Sequence, residues 1–172
     1  MITVTVQDAE VQAAVLRLRE RYSNMRPAMN EIGMRYRRSV LENFANQSSP
    51  DGTPWQPTKA KSIAASYRGS KFKKRGGMRA AYTRYLANKK ILILRGYLKQ
   101  SVHHQYTASS VTIGSTGSIK YAAVHQFGSA PGSRNKIPAR PWLACNRGEQ
   151  LEFAQKDKEM VLAVLERHLN AI

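Results

Sequence analysis

Residues 27–44, PAMNEIGMRYRRSVLENF, carry the pattern that decides the fold. Met29, Ile32, Gly33, Tyr36, Val40 and Phe44 recur at spacings of three and four, which puts them on one face of a helix. Pro27 has no backbone N–H to donate, so it breaks a preceding helix or opens a new one. The stripe reads as core or subunit contact. Upstream, Val11, Ala14, Val15, Leu18, Tyr22 and Met25 form a similar face, with Asp8 as a candidate N-cap. Residues 2–6 alternate as a short strand does. Far downstream, Leu151, Ala154, Val161, Leu162, Leu165, Leu169 and Ile172 stripe a C-terminal helix that starts near Arg147.

Between these helices the pattern changes. Residues 46–57, NQSSPDGTPWQP, are turn chemistry around a tryptophan that needs something to pack on. Residues 58–90 are basic and weakly patterned, with Gly69, Gly76 and Gly77 interrupting any long helix. A loop of that length is functional, or mobile until a partner orders it. ILILRGYLKQSV, from Ile91, reads as a strand or turn feeding a short helix. HHQYTASSVTIGS then alternates as a β-hairpin, with Val111 and Ile113 on one face. KYAAVHQFG is a short helical turn stopped by Gly128, and IPARPWLAC is extended, because each proline biases the residue before it away from helix. The expected architecture is α+β: N-terminal helices and a C-terminal helix on a small, mostly antiparallel sheet, with one long basic loop. The 172 residues suit a single domain over 1–172.

Charge is segregated along the chain. The 28 Lys+Arg against 11 Asp+Glu give a formal net charge of +17. Every acid lies at or before Asp51 or at or after Glu149, so residues 52–148 hold 18 Lys+Arg and no carboxylate side chain. Such a field attracts polyanions and acidic protein surfaces. Solubility alone is served by interspersed signs. Tyr67, Phe72, Tyr82 and Tyr85 lie among the basic residues, where rings either stack on single-stranded nucleic acid or anchor the segment.

The same arithmetic removes most enzyme classes. Divalent-metal phosphoryl chemistry needs clustered carboxylates, which the middle of the chain lacks. His103, His104 and His125 have no zinc-binding spacing, and neighbouring strand residues 103 and 104 point to opposite faces. Cys145, the one cysteine, reads as a small buried hydrophobe made in a reducing compartment. No catalytic residue, metal or cofactor is expected. No stretch is apolar enough to span a membrane, and the first residues do not read as a signal peptide.

Five strings occur in a characteristic order: SPDGTPWQP after Phe44, ILILRGYLKQSV, VTIGS, YAAVHQFG and IPARPWLAC. In this the chain resembles the phage virion morphogenesis family, the Mu-like tail-completion proteins. The motif positions are Trp55, Gly96, Tyr121, His125, Phe127, Gly128, Arg140 and Trp142. Arg95 stands where the family's usual turn has threonine. The resemblance implies a structural virion protein at the head–tail junction that completes the head-proximal end of the tail. It implies a ring of identical subunits, six-fold as the expectation, around the DNA path. Its partners would be neighbouring neck and tail-tube or sheath proteins, with non-specific contact to packaged DNA and no membrane. Synthesis would be in the host bacterial cytoplasm. Within it, Arg68, Lys71, Lys73, Lys74, Arg75 and Arg79 would face DNA or an acidic neighbouring ring. Trp55 and Trp142 would be interface anchors. Tyr121, His125 and Phe127 would pack the short helix on the sheet, with His125 bonded to a nearby backbone. Arg140 would pair with a carboxylate. The alternative is a stand-alone, non-specific nucleic-acid-binding protein of phage assembly.

Overall fold

A computed structural model of the chain describes residues 9–134, 136–147 and 150–170. The candidate strand at 2–6 and the Asp8 cap lie outside them. Helix α1 spans Ala9–Ser23 and α2 spans Arg26–Asn46, with Pro27 in the first turn of α2, as its missing N–H requires. The face of α2 built on Ala28, Ile32, Tyr36, Val40 and Phe44 is buried along its whole length. Strands β1 (Val102–Tyr106) and β2 (Val111–Ser115) form the expected antiparallel hairpin, in the register Val102↔Ser115 to Tyr106↔Val111. This hairpin lies across α2. Contact is close because Gly33 has no side chain: a Cβ there would collide with the His104 ring, whose Nε2 is 3.3 Å from Asn30 Oδ1.

The chain ends differently from expectation. Cys145–Arg147 (β3) and Gln150–Glu152 (β4) pair as a second antiparallel ribbon, and α7 begins only at Gln155 and runs to Asn170. There are thus two small ribbons among the described residues rather than one sheet. Leu151 belongs to β4, and Leu162 faces outward from α7. The inward line of α7 is Asp157, Met160, Val161, Val164 and Leu165, which packs on α2. Asp157 is buried beside Ser39, whose hydroxyl donates to Oδ1 at 2.6 Å. Burial raises the Asp157 carboxyl above the ordinary carboxylate range, and the Ser39 bond partly offsets it.

Of the described side chains in the stripe proposed for α1, Ala14, Val15 and Tyr22 are exposed and Met25 is half-buried. Val15 and Tyr22 are 57% and 77% exposed, and Leu16 is exposed as well. The helix meets α7 near its C-terminal end, where His168 Nε2 lies 3.3 Å from Arg21 O and 3.1 Å from Asn24 O.

The main core gathers Tyr36, Val40, Phe44, Trp55, Leu98, Val102, Ala122 and Trp142. It therefore joins α2, the 46–57 turn, α5 (Tyr97–Gln100), the hairpin, α6 (Ala122–Phe127) and the extended 137–144 segment. The five strings that order the sequence converge on this one cluster.

The basic segment is not a structureless loop. It holds α3 (Ala60–Ser66) and α4 (Ala80–Ala87), joined by a tight hairpin-like finger at 71–79. Neither helix shows long periodicity, because neither is held by a continuous apolar face. Tyr67 is held instead between Tyr82 and Tyr85, with ring centroids 5.0 Å from each, and the Tyr85 hydroxyl is 2.7 Å from Ser66 Oγ. Phe72 also meets Tyr82 edge-on at 6.3 Å, so all four rings read as stacking candidates make contacts within the segment.

Candidate functional site

Two basic features arise from this fold, and they differ in kind. The first is the finger. Lys73 N donates to Gly77 O at 2.9 Å, Arg79 N donates to Lys71 O at 2.9 Å, and Phe72 bridges Met78. Gly76 and Gly77 take φ of +86° and +79° at the tip, where a side-chain-bearing residue is strained. Lys73, Lys74, Arg75 and Arg79 are exposed on this turn, Lys71 is half-buried at its base, and Arg68 is exposed on the connection from α3. The structure therefore brings the six predicted contact residues onto one short projection and its stem. Phe72 is exposed beside them.

The second feature is a groove of about 810 Å³ between α3, the 89–97 turn, α6, Arg134 and the 136–140 segment. Its rim carries Lys59, Lys89, Lys90, Arg95, Arg134 and Lys136, and no carboxylate lines it. Its walls are apolar: Ile63, Ile93, Leu94, Tyr97 and Pro138 among them. Of these cations sequence reading named only Arg95, as a departure from the family's turn and not as part of a site. The signal was present only as the acid-free window, which says nothing about which bases the fold collects.

The family-motif residues do other work than expected. Trp55 and Trp142 are 4% and 3% exposed, so they anchor the interior of this chain rather than its surface. Trp55 Nε1 donates to Pro141 O at 2.8 Å, and Trp142 Nε1 donates to Ala122 O at 3.2 Å. Both rings lie on Phe44, at 5.6 and 5.9 Å between centroids. Arg140 is also buried, and its partners are carbonyls rather than a carboxylate. Nε donates to Gln56 O at 2.7 Å and an amino group donates to Pro57 O at 3.2 Å. It clips the tryptophan turn to the proline-rich segment.

On α6 the inward face is Ala122 and Gln126, four residues apart. Tyr121 and Phe127 fall off that face and are 44% and 47% exposed, which corrects the expectation that they pack the helix. Gln126 does that work, and sequence reading gave it no role. Its Oε1 accepts from the N–H groups of Trp142 and Leu143, each at 3.0 Å. Its Nε2 donates to Ala144 O and Asn146 Oδ1, each at 2.7 Å. Gly128 ends α6 at φ +86°, with the backbone of Ile137 and Ala139 so close that a Cβ would lie 3.2 and 3.1 Å from it. Gly96, at φ +78°, opens α5.

His125 bonds the neighbouring segment through its backbone, accepting from Arg140 N–H at 2.7 Å, and not through its ring. Ring Nδ1 is buried and has no hydrogen-bond partner among the described residues. Burial, with the Arg140 guanidinium adding to it, holds His125 below the ordinary imidazole range. Below about pH 6.5 the unfolded chain binds a proton that the folded chain resists, so stability present at neutral pH is lost as pH falls. His125→Phe should leave stability near pH 7 unchanged or slightly raised and flatten the loss between about pH 7 and pH 5. Urea unfolding of both chains across that range checks this. An unchanged slope would place the effect on other groups.

Cys145 is half-buried, and burial pushes its thiol up, away from the reactive thiolate. Among the described residues no three His, Cys, Asp or Glu side chains come together as a metal site, and no helix is long and apolar enough to cross a membrane.

The fold and the site together define a small α+β domain of helices around two short ribbons, with tryptophan and proline turns packed on one another and two cationic surfaces. The chain belongs to the phage virion morphogenesis family, whose match covers residues 6–170. It is similar to tail completion protein S of Escherichia phage P2, with 29% identity over 150 residues that span 84% of this chain and 87% of that protein. No solved structure matches the chain.

Proposed function

We propose that this protein completes the head-proximal end of a phage tail, as a closed ring of subunits, six-fold by expectation, with the finger directed at the DNA path. The observation that carries this is the finger itself. It gathers six cations on one short turn and its stem, in an acid-free window, within a chain of the virion morphogenesis family. Its P2 relative bears the name tail completion protein. The uncovered apolar residues of α1 supply a surface that a neighbouring copy would bury, and head-to-tail contacts between identical subunits close into rings. Phosphate contact by such a finger is sequence-independent and strongly salt-dependent.

The test is duplex DNA binding as salt is raised. Replacing Lys73, Lys74 and Arg75 by alanine should lower the salt slope by about 2–3 per protomer, near one unit for each phosphate no longer neutralised. No binding at low salt, or an unchanged slope, would exclude a DNA-facing finger. The second reading, a stand-alone nucleic-acid binder, is favoured only by the net charge of +17. It requires a monomer or dimer both free and in the finished particle, whereas the ring reading requires a multimer in the particle.

A further inference from the structure

The groove differs from the finger in what it can hold. Phosphate backbones need cations and little else, and the finger offers cations at a projecting tip. In the groove the cations form a rim around apolar walls, with Leu94 60% exposed and Tyr97 53% exposed. Its volume of about 810 Å³ is in the range that encloses a ligand or a few side chains, far too narrow for a duplex.

We infer that this groove is a docking site for an acidic segment of a different virion protein, one that carries apolar side chains among its carboxylates. Charge decides against a second copy of this chain as the occupant. The rim needs carboxylates, and the acidic groups of α2 and the exposed ones of α7 already have basic partners or neighbours. Glu31 is paired with Arg35 and Arg167, and Glu42 with Arg38. On α7, Glu159 and Glu166 stand among Lys156, Lys158 and Arg167. A copy with a net charge of +17 is repelled overall by a rim of six cations. An acidic partner answers them, and like-charge exclusion keeps other copies out of the groove. The two basic surfaces then divide the work: the finger takes nucleic acid and the groove takes protein.

This rests on the assembly role proposed above, and the experiment separates the two. A photo-cross-linking residue is placed at Leu94, which is exposed, and tails are assembled in infected cells. Recovery of the protein in finished tails reports on the assembly role. The identity of the cross-linked peptide reports on the groove. The expected product is an acid-rich, leucine- or aromatic-bearing segment of another virion protein. The Lys89→Glu/Lys90→Glu variant should lose that product about tenfold, while the Lys73→Ala/Lys74→Ala/Arg75→Ala variant retains it. Protein that enters tails but cross-links to DNA, to a second copy, to a segment without acidic residues, or to nothing would overturn the inference. A product indifferent to charge reversal at Lys89 and Lys90 would overturn it equally.

Discussion

Gln126→Leu is expected to destabilise the isolated chain by about 3–5 kcal/mol, enough to unfold a marginal domain. Leucine has nearly the same size, so packing changes little. The loss is in partners. The N–H groups of Trp142 and Leu143, the carbonyl of Ala144 and the Asn146 amide all lose a bond that Gln126 now makes. Each buried polar group left alone costs about 1–3 kcal/mol, and some relaxation brings the total below the sum. Phe127→Ala, one residue further on and half-exposed, should shift stability by less than about 0.5 kcal/mol. Urea midpoints at constant m measure both. A leucine variant as stable as the parent would show that the 142–146 segment is held by other means.

Trp55→Ala should cost about 3–5 kcal/mol in the free chain, because it removes a buried ring from the edge of Phe44 and leaves the Pro141 carbonyl without its donor. Trp55→Phe restores most of the ring and should recover more than half of the loss. This pair also separates two roles for the motif. An interface anchor leaves the free chain's stability untouched when it is removed, whereas a core anchor does not. Equal melting of Trp55→Ala and parent in isolation would return Trp55 to the surface.

Helix α2 is legible in the sequence because its buried positions repeat every three or four residues on one element. The β1–β2 hairpin is legible from alternation on either side of a polar turn. The start of α7 is not, because Leu151 and Ala154 fall in phase with Val161, Leu162 and Leu165. A stripe on paper does not distinguish a strand that precedes a helix from the helix itself. Helices α3 and α4 are too short for a decisive stripe: Tyr82, Tyr85 and Leu86 share one face of α4, but its packing runs through ring contacts with Tyr67 that the sequence does not mark. Of the site, the finger cations are legible as a local cluster in sequence. The groove is not, because Lys59, Lys89, Arg134 and Lys136 meet only through tertiary folding. Arg140 looks like a carboxylate's partner because carbonyl acceptors leave no mark on side-chain composition.

The finger stands on its own small aromatic nucleus, apart from the Phe44 cluster that stabilises the domain. Effects at separate sites add nearly independently. The number and sign of the tip charges are therefore a dial that can turn without touching stability. Under the proposed function, changing the tip one residue at a time would loosen or tighten its hold on DNA while the scaffold stays the same.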